Sequence, residues 1–282
     1  MQAVKRRLRS LVYLLPGAQR VWVKFNRAIG REGRPRFSGW GMVTDAMPPW
    51  LEHPDSVTRD FSVANSEFIS HVRGGAFKLS QFSQVQDIRR RLIELMWRHY
   101  VVFWSVNFAT RATKLTTKKT LVECGVCDGL TAYFALRAMG SEQQFQAVLY
   151  DAWEGMKSDY LLDSEDGLEG SYAFLDFENT RQNLRQFATQ VVFVKGFIPD
   201  SFRAAPLPDN VIWLHLDLNS SIPTKAALEH LYERMPSGAV ILFDDYGWGG
   251  YHDTKVAVDD FFRDKGGLLL PLPTGQAIFF KM

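Results

Sequence analysis

From Leu121 to the C-terminus, short apolar runs alternate with helical patterns, and this alternation restricts the fold more than any other feature of the chain. The runs are Leu121 and Val122, Ala147 to Tyr150, Val191 to Val194, Val211 to Leu216 and Val240 to Phe243. Helical patterns separate them, one beginning near Tyr133 and others at Phe177 to Phe187 and Thr224 to Met235. Continuous apolar strands joined through helices build a mostly parallel sheet covered on both faces, an α/β fold. The ending differs. After a helix at Thr254 to Phe262, Leu268 to Leu270 and Ala277 to Phe280 lie too close for a crossover helix, so they form an antiparallel hairpin. With 282 residues, 46% of them hydrophobic, the chain is long enough for one large domain with N-terminal additions.

In an open parallel sheet, ligands bind beyond the carboxyl ends of the strands, near the point where strand order reverses. The stretch TLVECGVCDGLTA, Thr120 to Ala132, supplies a strand, a tight turn carrying Glu123, Gly125 and Gly129, and a helix start. Gly125 lets a cofactor approach bare backbone, and Gly129 serves the turn or a close helix contact. The third glycine of G-x-G-x-x-G is missing, which argues against a dinucleotide site. An ordinary strand-to-helix turn is the competing reading. Asp151, ending the second run, either accepts ribose hydroxyls or caps the next turn. Trp153 is placed to cover an adenine, and Gly196 to line the same slot.

A second constellation stands at the next two strand tips. Asp217 follows VIWLHL, and Asp244 and Asp245 follow VILF, with Asp244 27 positions after Asp217. One helix and one strand fill that interval, so the three carboxylates converge. Clustered acids repel unless protons or a cation neutralise them, and a hard divalent ion such as magnesium is the natural partner. The alternative is two capping aspartates and a solvated acid.

The remainder narrows the function classes. Ten basic residues and one acid lie between Met1 and Arg36, leaving 23 basic against 30 acidic residues beyond. That balance is wrong for a nucleic-acid-binding domain. Val4, Leu8, Leu11, Val12 and Leu15 share one helical face, which suits either peripheral contact with anionic lipid or packing on protein. No stretch is long enough, free of charge, to span a bilayer. Gly30 to Pro54 reads as loop or lid. Ser83 to Phe108 reads as a buried or interface helix, interrupted by Arg98 and His99 and rich enough in aromatics to suggest a homodimer. Cys124 and Cys127, the only cysteines, imply no disulfide framework, so a cytoplasmic location is the default. The expected division is a basic arm at 1–36, a helical lid and recognition region at 37–110, and a catalytic domain at 111–282.

LVECGVCDGLTAYFAL, VLYDAWEGM and LHLDLNSSIPTKAALEHLYERMPSGAVILFDDYG together resemble the TylF/MycF-type, or macrocin O-methyltransferase, family. The resemblance runs from about Leu121 to the C-terminus. It implies a class I S-adenosylmethionine (SAM) methyltransferase fold: a Rossmann-like, mostly parallel seven-stranded sheet with a C-terminal antiparallel hairpin, here preceded by a helical extension. It implies methyl transfer from SAM to a hydroxyl of a sugar or glycosylated natural product, with magnesium. Glu123, Gly125, Gly129, Thr131 and Asp151 fall on its cofactor positions, and Asp217, Asp244 and Asp245 on its metal positions. Two departures stand out. Asp217, Leu218 and Asn219 replace Asp-Gly-Asp, and Asp128, Gly129 and Leu130 replace Arg-Gly-Gly. Asp217 and His252 are the candidate bases for the acceptor proton, while His215, inside an apolar strand, reads as structural. A rival reading is a non-catalytic protein that kept the fold to bind the cofactor or a membrane surface.

Overall fold

The structure is a computed structural model that describes residues 36–38, 41–43, 57–83, 88–140, 142, 144–204 and 206–282. The amphipathic pattern at Val4 to Leu15 lies outside them. Of the Gly30 to Pro54 segment, only β1 (Arg36–Ser38) and β2 (Gly41–Val43) are described, and they pair antiparallel. Two helices follow, α1 (Arg59–Arg73) and α2 (Ile88–Ala112).

The rest alternates: β3 (Lys119–Cys124), α3 (Leu130–Ala138), β4 (Phe145–Asp151), α4 (Phe177–Asn183), β5 (Val191–Lys195), β6 (Val211–Leu216), α5 (Ser221–Leu231), β7 (Val240–Phe243), α6 (His252–Phe262), β8 (Gly267–Pro271) and β9 (Ala277–Lys281). Seven strands form one sheet in the order β5-β4-β3-β6-β7-β9-β8. All neighbours are parallel except β9, which runs antiparallel to both β7 and β8. The chain moves outward from β3 through β4 and β5, then returns to place β6 on the other side of β3. The β3/β6 boundary is therefore the switch point where a ligand crevice opens.

Period-two alternation sorts the strand side chains into two cores. Leu121, Leu149 and Leu242 face a layer containing Phe61 and Phe68 of α1, Leu95 and Phe103 of α2, and Phe134 of α3. Val122, Tyr150, Ile241 and Phe243 face the other layer, with Leu228 of α5 and Val258 and Phe262 of α6. The helices before β3 thus share one core with the sheet. Helix α1 has no counterpart in the sequence reading, because its buried stripe is sparse: Phe61, Ala64 and Phe68 among polar residues. Glu123 and His215 continue the Leu121 and Trp213 face, so both carry polar groups under α2.

Residues 152–176, between β4 and α4, form a strap over the sheet's C-terminal edge, with short 3-10 turns at Ser158–Tyr160 and Asp163–Leu168. Buried Glu165 secures it by accepting a 2.8 Å bond from Ser221 N at the start of α5, and Ser164 Oγ lies 2.8 Å from Asp253 Oδ2 of α6. Tyr160 stacks on Phe197 with ring centroids 4.6 Å apart. The described residues contain no helix long and apolar enough to cross a membrane.

Candidate active site

Under this strap lies a cavity of about 180 Å³. Gly125, Cys127, Asp151 and Gly196 line one end, and Asp217 and Asp245 the other, with Tyr172, Trp248 and Tyr251 beside the acids. A smaller cavity of about 40 Å³ beneath α2 shares Gly125, Cys127, Asp217 and Asp244 with it and adds Glu123, Thr131, Arg98 and His99. The two cavities share these walls at the switch point.

The turn after β3 owes its shape to strand packing. Gly125 has φ +88°, and a Cβ there would sit 1.9 Å from the Asp217 carbonyl oxygen. Glycine is required because β6 ends against this backbone. Gly129 has φ +84° and lines neither cavity; a Cβ would meet the Leu184 side chain at 3.0 Å, so this glycine serves helix packing. Asp151 braces the turn: Oδ2 accepts from Val126 N at 2.7 Å and Cys127 N at 2.8 Å, and Oδ1 accepts from Trp153 N at 2.7 Å. Asp151 is thus both the brace of the turn and part of the cavity wall. Asp128 ties the same turn to its surroundings through Asn179 Nδ2 at 2.9 Å and Gln81 N at 3.2 Å.

Trp153, expected to cover an adenine, is turned inward and lines neither cavity. Its indole N–H donates to Cys127 O at 3.1 Å and Thr180 Oγ1 at 3.0 Å, and the ring packs edge-on to Phe177. A buried indole needs a partner for its N–H, and the turn carbonyl supplies one. Phe197 and Ile198, beside Gly196, line the larger cavity. Both cysteines are free thiols, and burial pushes both pKa values well above the usual range, which disfavours a reactive thiolate. His252 is exposed at the first position of α6 and does not line either cavity.

The acidic end is organised by a residue from α2. Buried Arg98 pairs through Nη2 with Asp244 Oδ2 and also donates to Thr274 O at 2.9 Å and Asp244 O at 3.2 Å. Gln276 Nε2 reaches Asp244 Oδ1 at 3.0 Å, and His215 Nε2 lies 3.6 Å from the same oxygen. His215 Nδ1 is 3.0 Å from Glu123 Oε1. Burial opposes charge on His215, but the two flanking carboxylates outweigh it and push its pKa up to about 10. Asp244 moves the opposite way: burial alone would raise it, yet Arg98 and His215 hold it well below the ordinary carboxylate range. Glu123 Oε2 is buried without a partner, and burial raises this group's pKa.

Asp217 and Asp245 lack such compensation. Burial and the neighbouring acids raise Asp217 strongly, and burial followed by Asp244 pushes Asp245 up to about 7. Asp245 Oδ2 is buried with no hydrogen-bond partner. Asn219, at φ +56°, donates Nδ2 to Asp217 Oδ1 at 3.2 Å and accepts from Tyr172 Oη at 3.2 Å. Burial and these acids also raise both phenols, Tyr251 to about 12. An orphaned carboxylate oxygen in an undercompensated acidic pair fits a hard divalent cation. His215, Asp217 and Asp244 each bring an atom within 4.8 Å of the others, but a protonated imidazole donates and does not ligate.

Of the residues that the sequence offers as cofactor or metal positions, Gly125, Asp151, Gly196, Asp217, Asp244 and Asp245 line the larger cavity and Glu123 and Thr131 the smaller, while Gly129 and Trp153 line neither. The sequence reading passed over Arg98, Gln276, Tyr172 and Tyr251. The one local signal was Arg98 and His99 interrupting an apolar helix. His99 is buried, stacked on Phe134 at 4.5 Å, and kept neutral, its pKa lowered to about 3 by burial and by Arg98.

Comparison with known proteins identifies the fold and the family. No curated protein sequence matches the chain. Among solved structures, the O-methyltransferase NovP is 20% identical with a TM-score of 0.58, covering 67% of this chain and 81% of its own. The calicheamicin methyltransferase CalS11 is 15% identical with a TM-score of 0.50, covering 84% of this chain and 99% of its own. At these identities the likeness concerns the fold, which is that of class I SAM methyltransferases. The sequence profile of the macrocin-O-methyltransferase (TylF) family matches residues 109–279, from the end of α2 into β9, and the chain therefore belongs to this family of SAM-dependent O-methyltransferases.

Proposed function

We propose that the protein methylates a hydroxyl of a sugar, free or carried on a glycosylated natural product, with a divalent cation, magnesium by preference, at the acidic end of the cavity. The observation that carries this reading is the cavity under the strap, lined by both the Gly125–Cys127 turn and the Asp217–Asp245 pair. CalS11, a calicheamicin methyltransferase by its description, and the macrocin named in the family's description support a natural-product acceptor.

When bound, SAM supplies an electrophilic methyl group and a divalent ion supplies charge that lowers the pKa of an alcohol. The chain's own residues do the rest. The braced turn and Asp151 hold the adenosyl end, and Glu123, which lines the smaller cavity and has an unpartnered Oε2, would accept from an ammonium group. Asp217 takes the acceptor proton, held by the Tyr172–Asn219–Asp217 hydrogen-bond chain. Tyr172, Trp248 and Tyr251 offer ring faces to a sugar, and Tyr251 a phenol. The strap at 152–176 excludes water from the crevice, which strengthens these polar contacts.

Thermal unfolding with S-adenosylhomocysteine, with magnesium or with EDTA, tests cofactor and ion together. Ligand at about a hundred times its dissociation constant adds roughly 2.7 kcal/mol. A stabilisation enlarged by magnesium, followed by methyl incorporation into macrocin or other glycosides, is the expected result. No stabilisation at any concentration refutes the reading.

A further inference from the structure

We propose that Asp244 is not a ligand of the divalent ion: Arg98 and Gln276 occupy its carboxylate, and Asp217 and Asp245 hold the ion between them. The inference rests on the divalent-ion reading above and departs from the three-aspartate set that the family resemblance implies. Each oxygen of Asp244 already has a donor. Arg98 Nη2 is on Oδ2, and Gln276 Nε2 is on Oδ1 at 3.0 Å. Neither donor is free to leave. The buried Arg98 guanidinium is also fixed by Thr274 O and by the Asp244 carbonyl, so displacing its carboxylate would strand a charge in the core. Gln276 is held from behind by Thr274 Oγ1, 3.0 Å from its Oε1. A divalent ion on Asp244 would moreover share one carboxylate with a guanidinium, cation against cation.

The other two acids are arranged differently. Asp245 Oδ2 is buried without a partner, and Asp217 meets no cation: it has the Asn219 amide on Oδ1 at 3.2 Å and the Asp245 carboxyl beside it. Asn219 turns its nitrogen toward Asp217 and its oxygen toward Tyr172, so it positions Asp217 and leaves ligation to the carboxylates. Two carboxylates, with the remaining positions left to water and substrate oxygen, suffice for magnesium, which seldom takes a full set of protein ligands. Arg98 thus acts as a built-in counterion that divides the acidic cluster into a structural member and an ion-binding pair.

The test titrates the full chain with manganese(II) and follows loss of the free-ion paramagnetic resonance signal. The wild type is expected to bind one ion, and Asp217→Asn and Asp245→Asn to weaken it at least tenfold. The double variant Arg98→Met/Asp244→Asn removes both halves of the buried pair and should bind within threefold of the wild type. Arg98→Met alone frees Asp244 as a third carboxylate and should bind at least tenfold tighter, a readout that stands if the double variant fails to fold. A folded double variant, shown by its retained S-adenosylhomocysteine thermal shift, that loses manganese as completely as Asp217→Asn overturns the proposal. So does unchanged affinity in Arg98→Met. A wild type that takes up no manganese refutes the divalent-ion reading itself, and this inference with it.

Discussion

Replacing Gly125 by alanine tests whether strand packing, and not the ligand alone, requires glycine in the turn. Two penalties combine. An alanine in the left-handed region costs about 1–2 kcal/mol. A Cβ placed 1.9 Å from the Asp217 carbonyl oxygen must also push the β3 and β6 ends apart, and overpacking of this kind costs about 1–3 kcal/mol. The sum, roughly 2–5 kcal/mol, is a large share of a typical domain's stability. Gly140 is the control: its φ is +56°, and a Cβ there meets nothing within 4 Å. Gly140→Ala should therefore show only the conformational penalty, about 1–2 kcal/mol. Urea unfolding of the two variants beside the wild type measures the difference. Because the clash falls on Asp217, Gly125→Ala should also weaken manganese binding, which Gly140→Ala should leave alone. Equal destabilisation by the two substitutions, or intact ion binding in Gly125→Ala, would refute the argument.

Asp151→Asn takes the charge from an acceptor that holds Val126 N, Cys127 N and Trp153 N; weakening these charge-assisted bonds should cost about 2 kcal/mol and loosen S-adenosylhomocysteine at least tenfold by calorimetry. His252→Ala, an exposed change away from both cavities, should leave the methyl-transfer rate within about twofold, and a loss beyond about a hundredfold would restore it as a base. In EDTA, stability should fall as pH rises from 6.5 to 9. Asp245, raised to about 7, contributes stability below its unfolded pKa that is lost on passing 7, and His215, raised to about 10, contributes stability below 6.5 that is lost toward 10. Magnesium, which favours ionised Asp217 and Asp245, should lessen the fall, whereas a flat or rising melting temperature in EDTA would contradict these assignments.

The order of strands and helices was legible in the chain because burial on both faces of a sheet leaves continuous apolar runs. VIWLHL and VILF coincide with β6 and β7, and the crowded pair at the C-terminus had no option but a hairpin. The acidic tips were legible for a related reason: a residue that follows a parallel strand must lie at the sheet's carboxyl edge, so Asp151, Asp217, Asp244 and Asp245 had to meet near the switch point. Sequence pattern alone therefore determined the fold and the address of the site. Partner choice was decided only by tertiary structure. Arg98 meets Asp244 across 146 residues and Trp213 finds Ser105 across 108, and nothing local marks which buried charge or indole will be satisfied by which acceptor. The inward turn of Trp153 and the clash that makes Gly125 obligatory likewise come from elements distant in the chain. Hydrophobic periodicity reports which face of an element is buried. The division of labour among three adjacent aspartates depends instead on the few ångströms separating each from a guanidinium, an amide or another acid, and only the packed structure sets those distances.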